Sequence, residues 1–570
     1  MSTTTAPSPV PHLDAAPVLS PVISDQYAAT ARTWLLTFVW GLLFMYFSYT
    51  PLFFSDIWGH VNYGLWMLDH RALPLEDPFT PLAEGVPVVC TAWGGQVLFA
   101  LAARYGGDGW VSNLFAITSL LTMAFLVRAF YHRTASLLAA HAGLLLVALL
   151  IVGRHAIVRP EIFGGLSFAI LLWLVSRSEP YSVLRRIRPA SASDQSNESK
   201  TPWSLWLGVP ALFVVWANLH GSWVVGIALL GACFAGRAGE VVWTRGWADL
   251  WQDRWALRWL LITELAAVAV LINPYGIELY LNVLTFGSNP NLRDILEWYQ
   301  LKLLDLEGLT LMVAIVITLA LWRHSPRPIH PTEVLLLAVF TWSVAGSIRM
   351  VNWLAPLYAW AMVPHLAWLV DRLWARSSEL RDWNELLEFR SFRLTAACLL
   401  TVWVAFAFSP ASDFLLAARP RPADKLYSKG TPLGAIAFLN EHVPASGMTL
   451  TPQWWGDFAI YKGPPALRVV MNTNAVHVAP RKVWQDYLTM ANLRTGWERT
   501  LDRYAVSTVV IHKEKQSYLI SGLKRQAAWK RLYEDDTSLI YGRKSVWADT
   551  PAAKPYRSPR KTQREVADVR

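Results

Sequence analysis

The sequence predicts a mostly α-helical, polytopic transmembrane bundle of about 11–13 helices followed by a small soluble α/β domain. Three observations predict it. Of the 570 residues, 54 % are apolar and only 16 % are charged, whereas soluble domains carry about 25 % charged residues. Eleven separate apolar stretches approach the ~20 residues that a membrane helix needs. After Phe408 these stretches end and ordinary polarity begins. This composition excludes a disordered chain, a collagen and an ordinary soluble enzyme.

Residues 1–31, rich in Ser, Thr, Pro and Ala, read as a disordered tail. The first apolar run, Trp34–Phe53, is too long for a signal-peptide core and lacks a small-residue cleavage site, so it reads as a retained membrane helix. The further spans are Trp110–Tyr131, Ser136–Val152, Ile162–Val175, Trp203–Ala217, Ser222–Ala235, Leu257–Ile272, Leu309–Trp322, Glu333–Gly346, Val351–Val370 and Leu394–Phe408. Trp93–Ala103 is apolar but short, and the sequence leaves open whether it spans. Residues 32–410 thus form one transmembrane domain with an outside first loop, 54–108.

Charge sets the orientation. With the N-terminus in the cytoplasm, the inside loops carry 13 Lys and Arg in 82 residues and the outside loops 7 in 101. Excess basic residues belong on the cytoplasmic side, which places the basic segment Arg185–Arg188 inside and the C-terminal domain outside. The same tendency accounts for the net charge of +10 and points to membrane lipids, not nucleic acid, as its partner. Residues 421–546 alternate helix patterns (Thr431–His442, Lys482–Ala491, Tyr518–Gln526) with strand patterns (Met448–Thr451, Arg468–Asn472, Ser507–His512, Ser538–Tyr541), which predicts a small α/β fold. Residues 550–570 read as a basic disordered tail. Cys90, Cys233 and Cys398 are widely separated, without disulfide-framework or zinc spacing.

The first outside loop opens Ser55-Asp56-Ile57-Trp58-Gly59-His60. A helix beginning at Asp56 sets Asp56 and His60 on one face. Asp56 there can take a proton or bind a cation, or simply cap the helix. Glu76 and Asp77 add two carboxylates, although Asp77-Pro78 also suits a turn. Asn218-Leu-His220-Gly221 and Asn273-Pro-Tyr-Gly276 both fit turns on the outer side, and a turn leaves His220 unexplained. Arg154, Arg159 and Arg349 stand at outer helix ends, against the positive-inside tendency. Arginine there needs a partner: a lipid phosphate, which suits a planar guanidinium, or a carboxylate such as Glu161.

Taken in order, Asp56-Ile-Trp-Gly-His60, Asp77-Pro-Phe79, Trp93, Arg159-Pro-Glu161, Asn218-Leu-His-Gly221, Asn273-Pro-Tyr-Gly276, Glu297-Trp298 and Arg349 resemble bacterial GT-C superfamily membrane glycosyltransferases over about residues 50–410. The group grouped with lipopolysaccharide-core glycosyltransferases is the nearest match. The resemblance implies a sugar donor carried on a polyprenyl phosphate and a glycan, lipid or protein acceptor. It implies an acidic first-loop residue serving the reaction, at Asp56. Asp-x-Trp-x-His is also similar to the first-loop motif of oligosaccharyltransferase catalytic subunits, in which the Asp binds a divalent metal. This makes a divalent ion the candidate cofactor, with Asp56 and His60 its candidate ligands. Asp56 is then the catalytic candidate, and His60, Glu76, Asp77, Arg154, Arg159, His220 and Arg349 are candidates for substrate binding. The tail departs from the expected pattern, reading Trp455-Gly-Asp457-Phe458 and Val470-Met-Asn472-Thr-Asn474, which weakens a chemical role for that domain. Two rival readings remain: a lipid or glycan transporter, and a catalytically degenerate scaffold or sensor. An enzyme should bring Asp56, one or more arginines and an open cavity together.

Overall fold

The computed structural model describes residues 27–53, 55–154, 157–178, 181, 203–416, 421–474 and 478–548. The segment Arg185–Arg188, the tail 550–570 and most of the tail 1–31 lie outside the described residues. All eleven apolar stretches predicted from the sequence contain helix. Among the described residues, four helices are long and apolar enough to cross a membrane: Asp108–Thr134, Trp223–Arg245, Leu306–His324 and Ile348–Arg376. Shorter apolar helices include Leu137–Leu150, Glu161–Ser176, Pro331–Gly346 and Phe392–Ala407. The chain is a multi-pass membrane protein.

By its internal contacts the chain forms two compact units, one of Met1–Leu43 with Leu373–Phe408, the other of Phe44–Arg372 with Ser409–Arg570. In the smaller unit, Ala29–Thr30 pairs antiparallel with Arg390–Ser391, and Arg32 meets Glu388 at 2.7 Å. Gly41 lets Thr401 of helix Phe392–Ala407 approach closely, since a Cβ there would stand 3.1 Å from Thr401 Cγ2.

The larger unit carries everything that positions the site. Its helices include α1 (Ile57–His70), α2 (Trp93–Gly106), α3 (Asp108–Thr134), α4 (Leu137–Leu150), α5 (Glu161–Ser176), α6 (Gly208–Leu219), α7 (Trp223–Arg245), α8 (Arg254–Val270), α9 (Leu306–His324), α10 (Pro331–Gly346) and α11 (Val351–Arg372 and beyond, to Arg376). Most of α11 is buried from Val351 to Val363, despite Pro356 and Pro364 within it. A helix apolar all round belongs inside a bundle, whereas α9 and α10 leave Val316 and Trp342 outward, 65 % and 83 % exposed, as lipid-facing positions require. At the end of α10 far from the site, Glu333 pairs with Arg133 of α3, both buried. The Arg133 guanidinium lies 4.0 Å over the Trp360 ring of α11, so one charge pair pins three helices.

Close approaches build the end of the bundle that carries the site. Gly64 of α1 faces the Gln96 carbonyl of α2, where a Cβ would stand 2.2 Å away. Gly94 and Gly95 open α2 against the Asn218 and Leu219 carbonyls, where Cβ atoms would stand at 2.7 and 2.8 Å. Asn218 Oδ1 accepts from Trp93 Nε1 at 3.0 Å, and its amide donates to Ile272 O at 2.9 Å. Asn273 Oδ1 accepts from Tyr275 N at 2.7 Å. Asn273-Pro-Tyr-Gly276 is therefore a turn, as its composition predicts, whereas Asn218 and Leu219 close α6 and the turn begins only after His220.

The C-terminal segment adds α12 (Leu433–Glu441), α13 (Gln453–Lys462) and α14 (Arg481–Ala491) around a four-stranded sheet. The strands are β1 (Met448–Leu450), β2 (Val506–His512), β3 (Trp529–Glu534) and β4 (Ser538–Arg543), in the order β1-β2-β4-β3. β1 and β2 are parallel and the other pairs antiparallel. β2 is buried at every position, its polar Ser507, Thr508 and His512 included. The predicted strand Arg468–Asn472 is reduced to a bridge, Thr449 with Val469, because Asn472 turns away and donates to Thr80 Oγ1 of the first loop at 3.2 Å. β3 has no prediction behind it: at the sheet edge its charged Lys530 and Arg531 are neighbours and do not alternate with apolar residues, and an irregularity between Arg531 and Tyr533 breaks its period.

Candidate functional site

α1 begins just after the first apolar helix. Asp56 occupies its N-cap position but makes no side-chain cap bond. The Asp56 backbone is itself in the helical region (φ −38°, ψ −30°), whereas capping needs an extended residue that folds its carboxylate back onto the first turn. The carboxylate instead faces Arg159, with Oδ2 3.0 Å from Nε. His60 lies one turn later on the same face, its Nδ1 3.1 Å from Gln96 Nε2.

Arg159 precedes Pro160 and Glu161, where α5 starts. Its two terminal nitrogens donate to the Glu297 carboxylate at 2.7 and 2.9 Å, a fork-to-fork pair that fixes the guanidinium plane. The remaining edge, Nε, faces Asp56 as an ion pair without hydrogen-bond geometry. Arg154 Nη2 stands 3.8 Å from the same Glu297 carboxylate. Arg349, at the start of α11, donates to Glu161 Oε2 at 3.2 Å, and Asn352 donates to Glu161 Oε1 at 3.0 Å. The Arg349 guanidinium lies 5.6 Å over Trp298. His220 Nδ1 is 2.8 Å from Ser222 Oγ. Three guanidinium groups and three carboxylates thus meet at one corner, although their residues span nearly 300 positions of chain.

The charges are settled by their surroundings. Burial pushes the Asp56 carboxyl upward, and Arg159, His60 and Arg349 more than offset this, holding it below its ordinary value. Burial pushes His60 down to about 4, against the attraction of Asp56. At neutral pH the site therefore presents an anionic Asp56 beside a neutral imidazole.

A cavity of about 840 Å³ opens on this corner. Its polar end is lined by Asp56, His60, Gln96, Arg159, Glu161, His220 and Arg349. Val225 and Ala228 of α7, Phe340 of α10 and Trp353 of α11 make an apolar wall. Thr473, Asn474, Val478 and Arg481 of the C-terminal segment contribute a third wall. Of the residues expected from the sequence, Asp56, His60, Arg159, His220 and Arg349 line the cavity, and Arg154 stands behind it against Glu297. Glu76 and Asp77 do not line it. Glu76 accepts from Gly85 N at 3.1 Å, and buried Asp77 accepts from Tyr63 OH at 2.8 Å and Phe79 N at 3.0 Å, as a turn-forming Asp does.

The divalent metal implied by the resemblance does not fit these residues. Among the described residues no group of three or more His, Cys, Asp or Glu side chains could hold a metal ion. The place beside Asp56 already holds the Arg159 guanidinium.

Two carboxylates of the site go beyond the sequence expectations: Glu297, which the sequence shows only as a motif position, and Glu161, which it offers only as an ion-pair partner. The signal for Glu297 is its place beside Trp298 in a loop between two apolar stretches. The C-terminal residues carried no local signal. The segment that departs from the expected tail pattern is a docking seam: Asn474 donates to Tyr63 OH at 2.7 Å, and the Asp457 carbonyl accepts from Asn62 Nδ2 at 3.1 Å. Gly59 of α1 admits the Asp457 carboxyl, which a Cβ would meet at 2.7 Å.

No family model and no curated protein matches the chain in sequence. Solved structures do match in fold. The Archaeoglobus fulgidus oligosaccharyltransferase in its apo form aligns with a TM-score of 0.51 at 12 % identity, over 90 % of this chain and 74 % of that one. The archaeal oligosaccharyltransferase AglB from the same organism, in complex with an inhibitory peptide and a dolichol-phosphate, aligns with a TM-score of 0.52 at 12 % identity, over 91 % and 75 %. The chain shares the fold of these enzymes.

Proposed function

We propose that this protein is an integral membrane glycosyltransferase that moves a sugar from a polyprenyl-phosphate donor to a glycan, lipid or protein acceptor outside the cytoplasmic membrane. The observation that carries the reading is the cavity itself, where an ionised first-loop carboxylate and guanidinium groups meet an apolar wall of membrane helices. An apolar wall suits a polyprenyl chain, the cationic corner suits its phosphate, and the wall formed by Asn474 and Arg481 suits a polar acceptor. The fold neighbour held with a dolichol-phosphate and a peptide supports the same two classes of ligand.

In this reading the acceptor hydroxyl or amide attacks the anomeric carbon as the bond from that carbon to the phosphate oxygen breaks. Asp56 takes the acceptor proton. Its low pKa suits a proton that leaves late, once the acceptor atom has become positively charged. The departing phosphate gains negative charge, which Arg349 at the cavity wall stabilises. Arg349 is free to turn toward it, because it holds Glu161 through one nitrogen at 3.2 Å and not through a fork.

The test uses purified protein in vesicles with a polyprenyl phosphate bearing a radiolabelled sugar, offered a glycan, a lipid and a peptide in turn. Transfer moves label to an acceptor and leaves an equal amount of free polyprenyl phosphate. Label that crosses the bilayer while still bound to its lipid would instead favour the transporter.

A further inference from the structure

We propose that Arg159 is the resident cation of the site, held by Glu297 in the place beside Asp56 where a divalent metal would sit, so that transfer proceeds without a bound metal. The proposal rests on the transferase reading for its catalytic consequence but not for its binding consequence.

The geometry points to this assignment in three ways. Arg159 is locked from behind, since both terminal nitrogens are committed to one carboxylate at 2.7 and 2.9 Å. Its position is therefore a property of the fold, not of whatever ligand is bound. Its third edge meets Asp56 at 3.0 Å without a directed hydrogen bond. Asp56 thus gains a neighbouring positive charge while its lone pairs stay available to an acceptor proton. Finally, Arg159 lines the cavity and is only 13 % exposed, so its field acts through little water. A metal ion at Asp56 would have to displace a guanidinium that cannot lose its proton, or lie against it as a like charge.

Glu297 then becomes a positioning residue. It touches no reacting atom, and it fixes the cation that sets the charge of the base. Lys at 159 would carry the charge but not the fork, so Arg159→Lys should lose most of what Arg159→Ala loses. Glu297→Gln keeps the shape of the fork and removes its charge, which separates positioning from packing.

The experiment has two arms. In the first, purified protein stripped with EDTA is titrated with Mn²⁺ alone and followed by electron paramagnetic resonance. The wild type should show no Mn²⁺ site that disappears in Asp56→Asn. Arg159→Ala, which leaves Asp56 and Glu297 facing each other, should gain a weak one. A stoichiometric wild-type Mn²⁺ site lost in Asp56→Asn would overturn the proposal, whether or not transfer has been observed. In the second arm, EDTA should leave wild-type transfer unchanged, and Arg159→Ala should lose it by about 100-fold or more. Transfer abolished by EDTA and restored by Mg²⁺ would overturn the metal-free assignment and leave the transferase reading standing. Absence of transfer under every metal condition would count against the transferase reading, with the Mn²⁺ arm still deciding the place of Arg159.

Discussion

Asp457 is a carboxyl that folding keeps from ionising. It is 1 % exposed, and burial first, then the charges of Asp56 and Asp77, hold its pKa well above the ordinary 3.8. The folded chain therefore keeps a proton that the unfolded chain releases. Stability falls as pH rises above 3.8 toward the raised value, with a slope approaching about 1.4 kcal/mol per pH unit. Asp457→Asn retains a carbonyl to accept from Thr473 N and removes that slope, so its melting temperature in detergent should exceed that of the wild type more at pH 8 than at pH 5. An equal difference at both pH values would show that Asp457 is not held protonated. His60 acts in the opposite sense. Its value of about 4 lies below the ordinary 6.5, so the unfolded chain binds a proton first and stability drops as pH falls from 6.5 toward 4. In His60→Gln this acid-side loss should shrink, and melting curves across that window measure it. Neither environment was legible in sequence, because that of Asp457 depends on the C-terminal segment folding back onto the first loop some 400 residues away, and that of His60 on Gln96, Arg159, His220 and Arg349 gathering from distant helices.

The elements were more legible than their partners. Apolar length marks each membrane helix by itself, but the pairing of α1 with α2 depends on small residues whose meaning appears only in three dimensions. Gly64 is such a residue. In Gly64→Ala the new Cβ would meet the Gln96 carbonyl at 2.2 Å and Ala100 Cβ at 2.7 Å, which forces the helices apart at a cost of about 1–3 kcal/mol. Because Gln96 also contacts His60, transfer should fall together with stability. Gly165 of α5 is the control: nothing lies within 4 Å of its added Cβ, and Gly→Ala inside a helix gains roughly 0.5–1 kcal/mol. Thermal melts of the two variants should move in opposite directions. β3 escaped sequence reading for a related reason, since an irregular edge strand does not keep the alternation that marks a strand.

At the scale of the whole molecule, sequence order carried the Asp56, Arg159 and Arg349 corner, because outer helix ends with charges against the usual bias invite a common explanation. It did not carry the way those charges are shared: the fork of Arg159 with Glu297 needs the loop that bears Glu297 placed over the start of α5. The charge bias also makes a compartment prediction. Reporters fused after Lys200 and after Tyr541 should respond on opposite sides of the membrane, and activity in the same compartment would refute the arrangement. The central claim is that Asp56 acts on the acceptor. Asp56→Asn tests it most directly, because Asp56 makes no side-chain cap bond that the substitution could break and Asn preserves its size. The measurement is sugar transfer from the labelled polyprenyl-phosphate donor by Asp56→Asn and wild type, with melting temperature followed in parallel. A variant that melts near the wild type and transfers about 10²–10⁴-fold more slowly is the expected result; near-normal transfer by the folded variant would contradict it.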